Sequence, residues 1–256
     1  MDTQVYDVFC SEQAQGNPCG VVFLSHWLSD SEMLSIAQSV AQPVTSFLSH
    51  IDNCWRIRWF SLTSEINLCG HGSMGAGAAL IARLKQRSVK LHSDYGDITI
   101  VKHGCQYQMA LPSWEGKPVP TSLDLSLLNL EPSGVQAVDV FTTRDLVVVL
   151  ESEQQVKRYH PNFTCLKQIR DFHAVIVTAQ RGPNDYVLRY FAPKIGIDED
   201  IATGSAQCTL APYWFKKLDV DSLNASQLSE KGGFFQIAKL SADTIVISAS
   251  VHLRVQ

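Results

Sequence analysis

The sequence has no surplus of positive charge, no run of Lys or Arg and no interleaving of Arg with aromatic residues. It therefore lacks the electrostatic footprint of a nucleic-acid-binding surface, and no nucleic-acid partner is expected. Lys and Arg number 21 against 25 Asp and Glu, a formal net charge of -4. Also missing is any stretch of about eighteen apolar residues, the length a membrane-spanning helix needs. The opening Met1-Asp2-Thr3-Gln4 has neither the basic start nor the apolar core of a secretory leader, so a cytoplasmic location away from membranes is expected. The 7 cysteines, Cys10, Cys19, Cys54, Cys69, Cys105, Cys165 and Cys208, are odd in number and contain no Cys-x-x-Cys pair, which argues against a disulfide framework or a zinc knuckle. The 8 histidines form no His-Glu-x-x-His pattern, and no metal is expected.

What is present is an ordinary globular composition: 256 residues, 45% hydrophobic and 18% charged, enough for one large or two ordinary domains. Within it one stretch stands out, Asn67-Leu68-Cys69-Gly70-His71-Gly72-Ser73-Met74-Gly75-Ala76-Gly77-Ala78-Ala79-Leu80. A polar, glycine-bearing turn runs into small, uncharged residues, which predicts a loop feeding the N-terminus of a buried helix. The first N–H groups of such a helix lack intrahelical acceptors and its dipole is positive there, so a carboxylate can sit over Gly70, Gly72 and Ser73. Cys69 and His71 stand at the same mouth, and thiol and imidazole both carry protons near neutral pH. Taken singly, each reads as a packing residue; their adjacency at a helix start is what points to chemistry.

The arrangement occurs twice. Arg58-Trp59-Phe60 reads as a strand end ahead of Cys69-Gly70-His71-Gly72-Ser73. Downstream, Arg189-Tyr190-Phe191 precedes Asp198-Glu199-Asp200-Ile201-Ala202-Thr203-Gly204-Ser205-Ala206 and a second small-residue helix. Such a repeat argues for two related lobes, each offering a helix start to a shared cleft that takes a small carboxylic acid. Asp200, close to the second helix start, is either a carboxylate favoured by that dipole or a plain capping residue.

Elsewhere the pattern alternates with period two. Strands are expected at Val5 to Cys10, Val21 to Leu24, Val44 to Leu48, Trp55 to Phe60, Val89 to Leu91, Asp97 to Val101 and Tyr107 to Leu111. Gly16-Asn17-Pro18 punctuates the first two, and Asn17 is either a turn former or an amide offered to a ligand. Ser29 and Glu32 form a capping box for a helix ending near Gln42-Pro43. The Pro/Gly-rich segment 113–120 reads as a linker between an N-terminal lobe, 1–112, and a C-terminal lobe, 121–256, with terminal strands free to cross. The second lobe is expected to carry strands at Asp145 to Leu150, Ala174 to Thr178, Tyr186 to Phe191, Gly233 to Leu240 and Thr244 to Val255, and a helix from Gly204 to Lys217.

Gly16-Asn17-Pro18, Arg58-Trp59-Phe60 with Glu65 to His71, Gly96-Asp97-Ile98, Arg189 to Pro193 and Glu199 to Ala206 together resemble the PhzF family of phenazine-biosynthesis isomerases, in order and over nearly the whole chain. The resemblance implies the diaminopimelate epimerase-like α+β fold: two pseudo-symmetric lobes, each a curved, mostly antiparallel sheet around a central helix, usually in a homodimer. It further implies cofactor-independent proton transfer on a small cyclic or amino carboxylic acid. By this resemblance His71, Asp200 and Ser205 are site residues, while Gly72, Ser73 and Gly204 supply helix-end amides. The family's general base does not carry over, because its usual Glu-Thr-x-Phe-Val is Val44-Thr45-Ser46-Phe47-Leu48 here. Related epimerases use two cysteines at the two helix starts; Cys69 fills one place and Ala202 stands in the other. Three readings follow: an isomerase whose proton is carried by Cys69, His71 or Asp200, a small-acid binding protein without turnover, and a scaffold kept for structure or dimerisation.

Overall fold

The period-two alternation is realised as strands throughout. The computed structural model describes residues 2–254 and consists of a mixed sheet with few helices. Met1, and Val255 at the expected end of the last strand, lie outside the described residues. The chain divides into two compact units, Met1–Ala110 with Val246–Gln256, and Leu111–Ile245.

In the first unit the elements run β1 (Asp2–Cys10), β2 (Asn17–Leu24), α1 (Asp30–Val40), β3 (Val44–Ile51), β4 (Cys54–Phe60), β5 (Glu65–Ile66), α2 (Gly70–Leu84), β6 (Ser88–Ser93), β7 (Gly96–His103) and β8 (Gln106–Pro112). Pairing is antiparallel for β1–β2, parallel for β2–β3, antiparallel for β3–β4, parallel for β4–β6 and antiparallel for β6–β7 and β7–β8. The last strand of the chain, β16 (Thr244–Leu253), lies beside β8 and pairs antiparallel with β1, Tyr6 opposite Leu253, so the sheet closes on itself. Around α2 it forms a jacket: every residue from Gly72 to Ile81 is buried, as expected of a helix without a polar face. The small residues are what let it fit. A Cβ on Gly77 would lie 2.4 Å from Ile100, and one on Gly75 would lie 2.3 Å from Cys19 Sγ. Outside, α1 begins on the expected capping box, with Ser29 and Glu32 bonded reciprocally, and buries Met33 and Ala37 against Val22, Phe47 and Phe60.

The second unit contains β9 (Lys117–Pro118), β10 (Ala137–Thr142), β11 (Leu146–Leu150), α3 (Glu153–Arg158), α4 (Phe163–Leu166), β12 (Val175–Gly182), β13 (Asp185–Phe191), α5 (Gln207–Leu218), β14 (Ser222–Gln227) and β15 (Gly233–Lys239). From β10 to β15 the pairings again alternate antiparallel, parallel, antiparallel, parallel, antiparallel. Leu146, Val148, Val175, Val177, Val187 and Phe191 build a core with Val156, Tyr159 and Leu166 from the outer helices. A 3-10 turn at Gly204–Ala206 leads into α5, whose first five residues are buried. Pro212 inside α5 has no N–H for the Cys208 carbonyl. Trp114 supplies one instead, at 2.8 Å.

Some features differ from the sequence expectation. Residues 113–120, read as a linker, lie in the second unit, where Phe141 and Thr142 pair with Pro118 and Lys117. Residues 246–256 belong to the first unit because β16 completes its sheet, a crossing of a terminal strand that the expectation allowed. The polar strand β14, with only Leu223, Ala225 and Gln227 turned inward, was not anticipated. No described helix is long and apolar enough to cross a membrane, and no described cluster of His, Cys, Asp or Glu could hold a metal.

Candidate active site

Cys69 is the N-cap of α2, extended at φ -137 and ψ 112, and its Sγ accepts from the Gly72 N–H at 3.3 Å. Sulfur replaces the oxygen that Ser, Thr, Asp or Asn ordinarily provides there. The same Sγ lies 3.2 Å from His71 Nδ1. The thiol is buried and the imidazole half-buried. The structure therefore brings Cys69, Gly70, His71 and Gly72 together in one helical turn.

Ser73 is placed differently from the expectation that it offers groups to a ligand. Its N–H and its hydroxyl both donate to the Cys69 carbonyl, at 2.9 and 2.6 Å, and the side chain is fully buried. It holds the turn. Ser46 on β3 donates to the Gly72 carbonyl at 3.0 Å, and a Cβ at Gly72 would meet Ser46 Oγ at 2.8 Å and Trp59 Cδ1 at 3.1 Å. The indole N–H of Trp59 is buried without a hydrogen-bond partner. A buried donor of this kind beside a helix start suits an acceptor on a ligand. Asn17, the first residue of β2, is fully buried opposite Val8 rather than exposed in a turn.

In the second unit Asp200 is half-buried and held by two donors, the Ile201 N–H at 2.8 Å and the Thr203 hydroxyl. The loop is fixed from behind by Gln227 on β14, which donates to the Asp200 carbonyl at 2.7 Å and accepts from the Thr203 N–H at 2.8 Å. Gly204 is buried and Ser205 half-buried in the 3-10 turn that follows. Gly233 gives Ala202 its room, since a Cβ there would lie 2.4 Å from Ala202 Cβ.

Residues 6–237, a span that holds both helix starts, match the family of phenazine biosynthesis-like (PhzC-PhzF) proteins. The chain belongs to this family. Its relatives include an uncharacterized isomerase of Vibrio cholerae, 52% identical over 98% of this chain and 88% of its own. A crystal structure of a phenazine biosynthesis PhzC/PhzF protein from Clostridium difficile is similar with a TM-score of 0.88 at 33% identity, covering 99% of this chain and 97% of that one. A hydroxyproline epimerase from Agrobacterium vitis shares the fold at a TM-score of 0.59 and 9% identity, over 99% of this chain and 91% of that one. Within this PhzF-family chain, Val44 opens β3 at 6% exposure, paired with Cys19.

Sequence reasoning missed Gln227 and Arg144. Arg144 donates to Ser205 Oγ at 3.3 Å. Neither residue sits in a periodic or glycine-marked context, although the adjacent charges of Arg144-Asp145 before an apolar strand were a usable signal.

Proposed function

We propose that this chain is a cofactor-independent isomerase that moves a proton on a small cyclic or amino carboxylic acid. The observation that carries the reading is the thiol–imidazole pair at the start of α2, with Cys69 Sγ 3.2 Å from His71 Nδ1 and bonded by the Gly72 N–H. His71 takes the thiol proton, and the Gly72 N–H and the helix dipole stabilise the thiolate that results. The thiolate removes the acidic C–H proton, and amide N–H groups at the helix start hold the enolate. The imidazolium returns a proton at another carbon, which restores the neutral thiol–imidazole pair, and Asp200 orients the acid. Cys69 thus fills the role of the family's glutamate, which is Val44 here. A lone thiol suits isomerisation from one face; symmetric two-base racemisation would need a second thiol at Ala202. Gly70, Gly72, Gly204 and Ser205 bind the acid, and the homodimeric state is carried over with the family reading.

The test is deuterium incorporation from heavy water across a panel of small cyclic and amino acids, read by mass spectrometry. Exchange on one compound should fall about 10²–10⁴-fold in Cys69→Ser and in Asp200→Ala. Undiminished exchange in Cys69→Ser removes the thiol from the mechanism. The second reading, a small-acid binding protein without turnover, is favoured by the apolar Val44. Saturable binding with no exchange at any pH would establish it.

A further inference from the structure

Arg144, just ahead of β11, anchors a side-chain cluster in the second unit. Its Nε and Nη2 lie 3.3 and 3.1 Å from the two carboxylate oxygens of Asp145, whose side chain is fully buried. Nη2 also donates to Tyr190 Oη at 3.3 Å and to Ser205 Oγ at 3.3 Å, and Cζ stands 5.4 Å from the centre of the Trp114 ring. A buried carboxylate needs a cation, so part of this arrangement is structural.

That need does not account for the rest. The Arg144 side chain keeps 40% of its surface exposed. Among the described residues, nothing accepts from its Nη1. Asp145 fixes the guanidinium plane from one edge, which leaves the Nη1 edge open beside a half-buried serine whose hydroxyl proton is not committed to Arg144. A planar fork held this rigidly matches a carboxylate and loses little freedom on binding one.

We propose that Arg144 is a carboxylate receptor: one oxygen of a small acid accepts from Nη1 and the other from the Ser205 hydroxyl. Asp145 is its positioning residue. The inference rests on the isomerase reading and deepens it, naming the free carboxylate as the group that the second unit recognises. Amides and esters of the same acid are rejected, because they carry no charge to pair with the guanidinium.

The experiment compares benzoate with its neutral isostere benzamide by calorimetry. Benzoate binding should weaken about 10- to 100-fold in Arg144→Gln, the range of one or two charge-assisted hydrogen bonds, while any benzamide binding stays unchanged. Because Arg144→Gln strands a buried carboxylate, the double variant Arg144→Gln with Asp145→Asn is measured beside it. The wild-type chain gives an independent readout: benzoate, and not benzamide, should slow phenylglyoxal modification of Arg144 mapped by peptide mass spectrometry. Absence of benzoate binding to the wild type, unchanged affinity in folded variants, or no protection of Arg144 each overturns the proposal. Proton exchange is measured separately on the same acids. Benzoate binding lost in the variants, with no acid exchanging in the wild type, would sink the isomerase reading alone; exchange undiminished in Arg144→Gln would sink the receptor alone.

Discussion

At the scale of single residues, glycines decide whether α2 can lie inside its jacket. Two effects compete at Gly77. Alanine would add about 1 kcal/mol of helix propensity, but its Cβ would sit 2.4 Å from Ile100 Cγ1 and 2.6 Å from Ile100 Cβ. The second atom is fixed to the β7 backbone and cannot swing away, so overpacking of about 1–3 kcal/mol wins. Gly77→Ala should therefore lower stability in urea unfolding by up to about 2 kcal/mol net. Gly70→Ala, with Met109 Cε no closer than 3.6 Å, should stay within about 0.5 kcal/mol of wild type. Comparable losses at both positions would show that steric fit does not set the cost. The glycine and cysteine pattern of this helix was legible in the sequence because small residues without charge have one common explanation, close packing. Gln227 was not legible, since a polar residue acquires its meaning only from what folding brings beside it, and Arg144 showed only as a charge next to Asp145 ahead of an apolar strand.

At the scale of elements, two Arg–Glu pairs brace the segments that lead into the helix starts. Arg58 on β4 bonds Glu65 through Nε at 2.7 Å, and Arg189 on β13 bonds Glu199 through Nε and Nη2, both at 2.8 Å. Their surroundings differ. Arg189 also donates to the Tyr159 carbonyl at 2.7 Å and has 14% of its side chain exposed, against 24% for Arg58. Removing Arg189 thus leaves a carboxylate and a backbone carbonyl short of donors in a drier place. Arg189→Met should cost about 2–4 kcal/mol by chemical denaturation and Arg58→Met about 1 kcal/mol, the difference being set by burial. Equal costs would contradict that assignment. The repeated Arg-aromatic-Phe motif was readable, as was the Ser29 capping box. Ser152 followed by Gln155 carries a similar start signal for α3, and Ser152 does cap it; six residues are too few for the apolar period to show. β14 has no such signal, because Ser222-Leu223-Asn224-Ala225-Ser226-Gln227 is held as a strand by its neighbours on both sides.

At the scale of the whole molecule, family membership was legible because ordered motifs span most of the chain. The unit boundaries were less so, because composition marks residues 113–120 as irregular without saying which sheet receives them. Each unit also buries thiols and phenols in neutral form, and this sets a pH limit. In the first unit, burial and the nearby Asp7 push the Cys10 thiol from 9.0 up to about 11, and burial and Tyr107 push Tyr6 from 10.0 up to about 12. In the second, burial raises the Cys208 thiol from 9.0 to about 12, with Arg144 opposing and Asp145 reinforcing. A group whose folded pKa is raised contributes stability that is fully present below its unfolded value and is lost as pH rises through the folded one. Between those values the unfolded chain has released protons that the folded chain still holds. The denaturation midpoint should therefore be level from about pH 7 to 8.5 and fall from about 9 up to about 12. Cys208→Ala should start lower, because a small cavity replaces the sulfur, yet fall less steeply. Its curve and the wild-type curve should converge toward high pH. Parallel curves would mean that Cys208 does not contribute to the alkaline loss of stability.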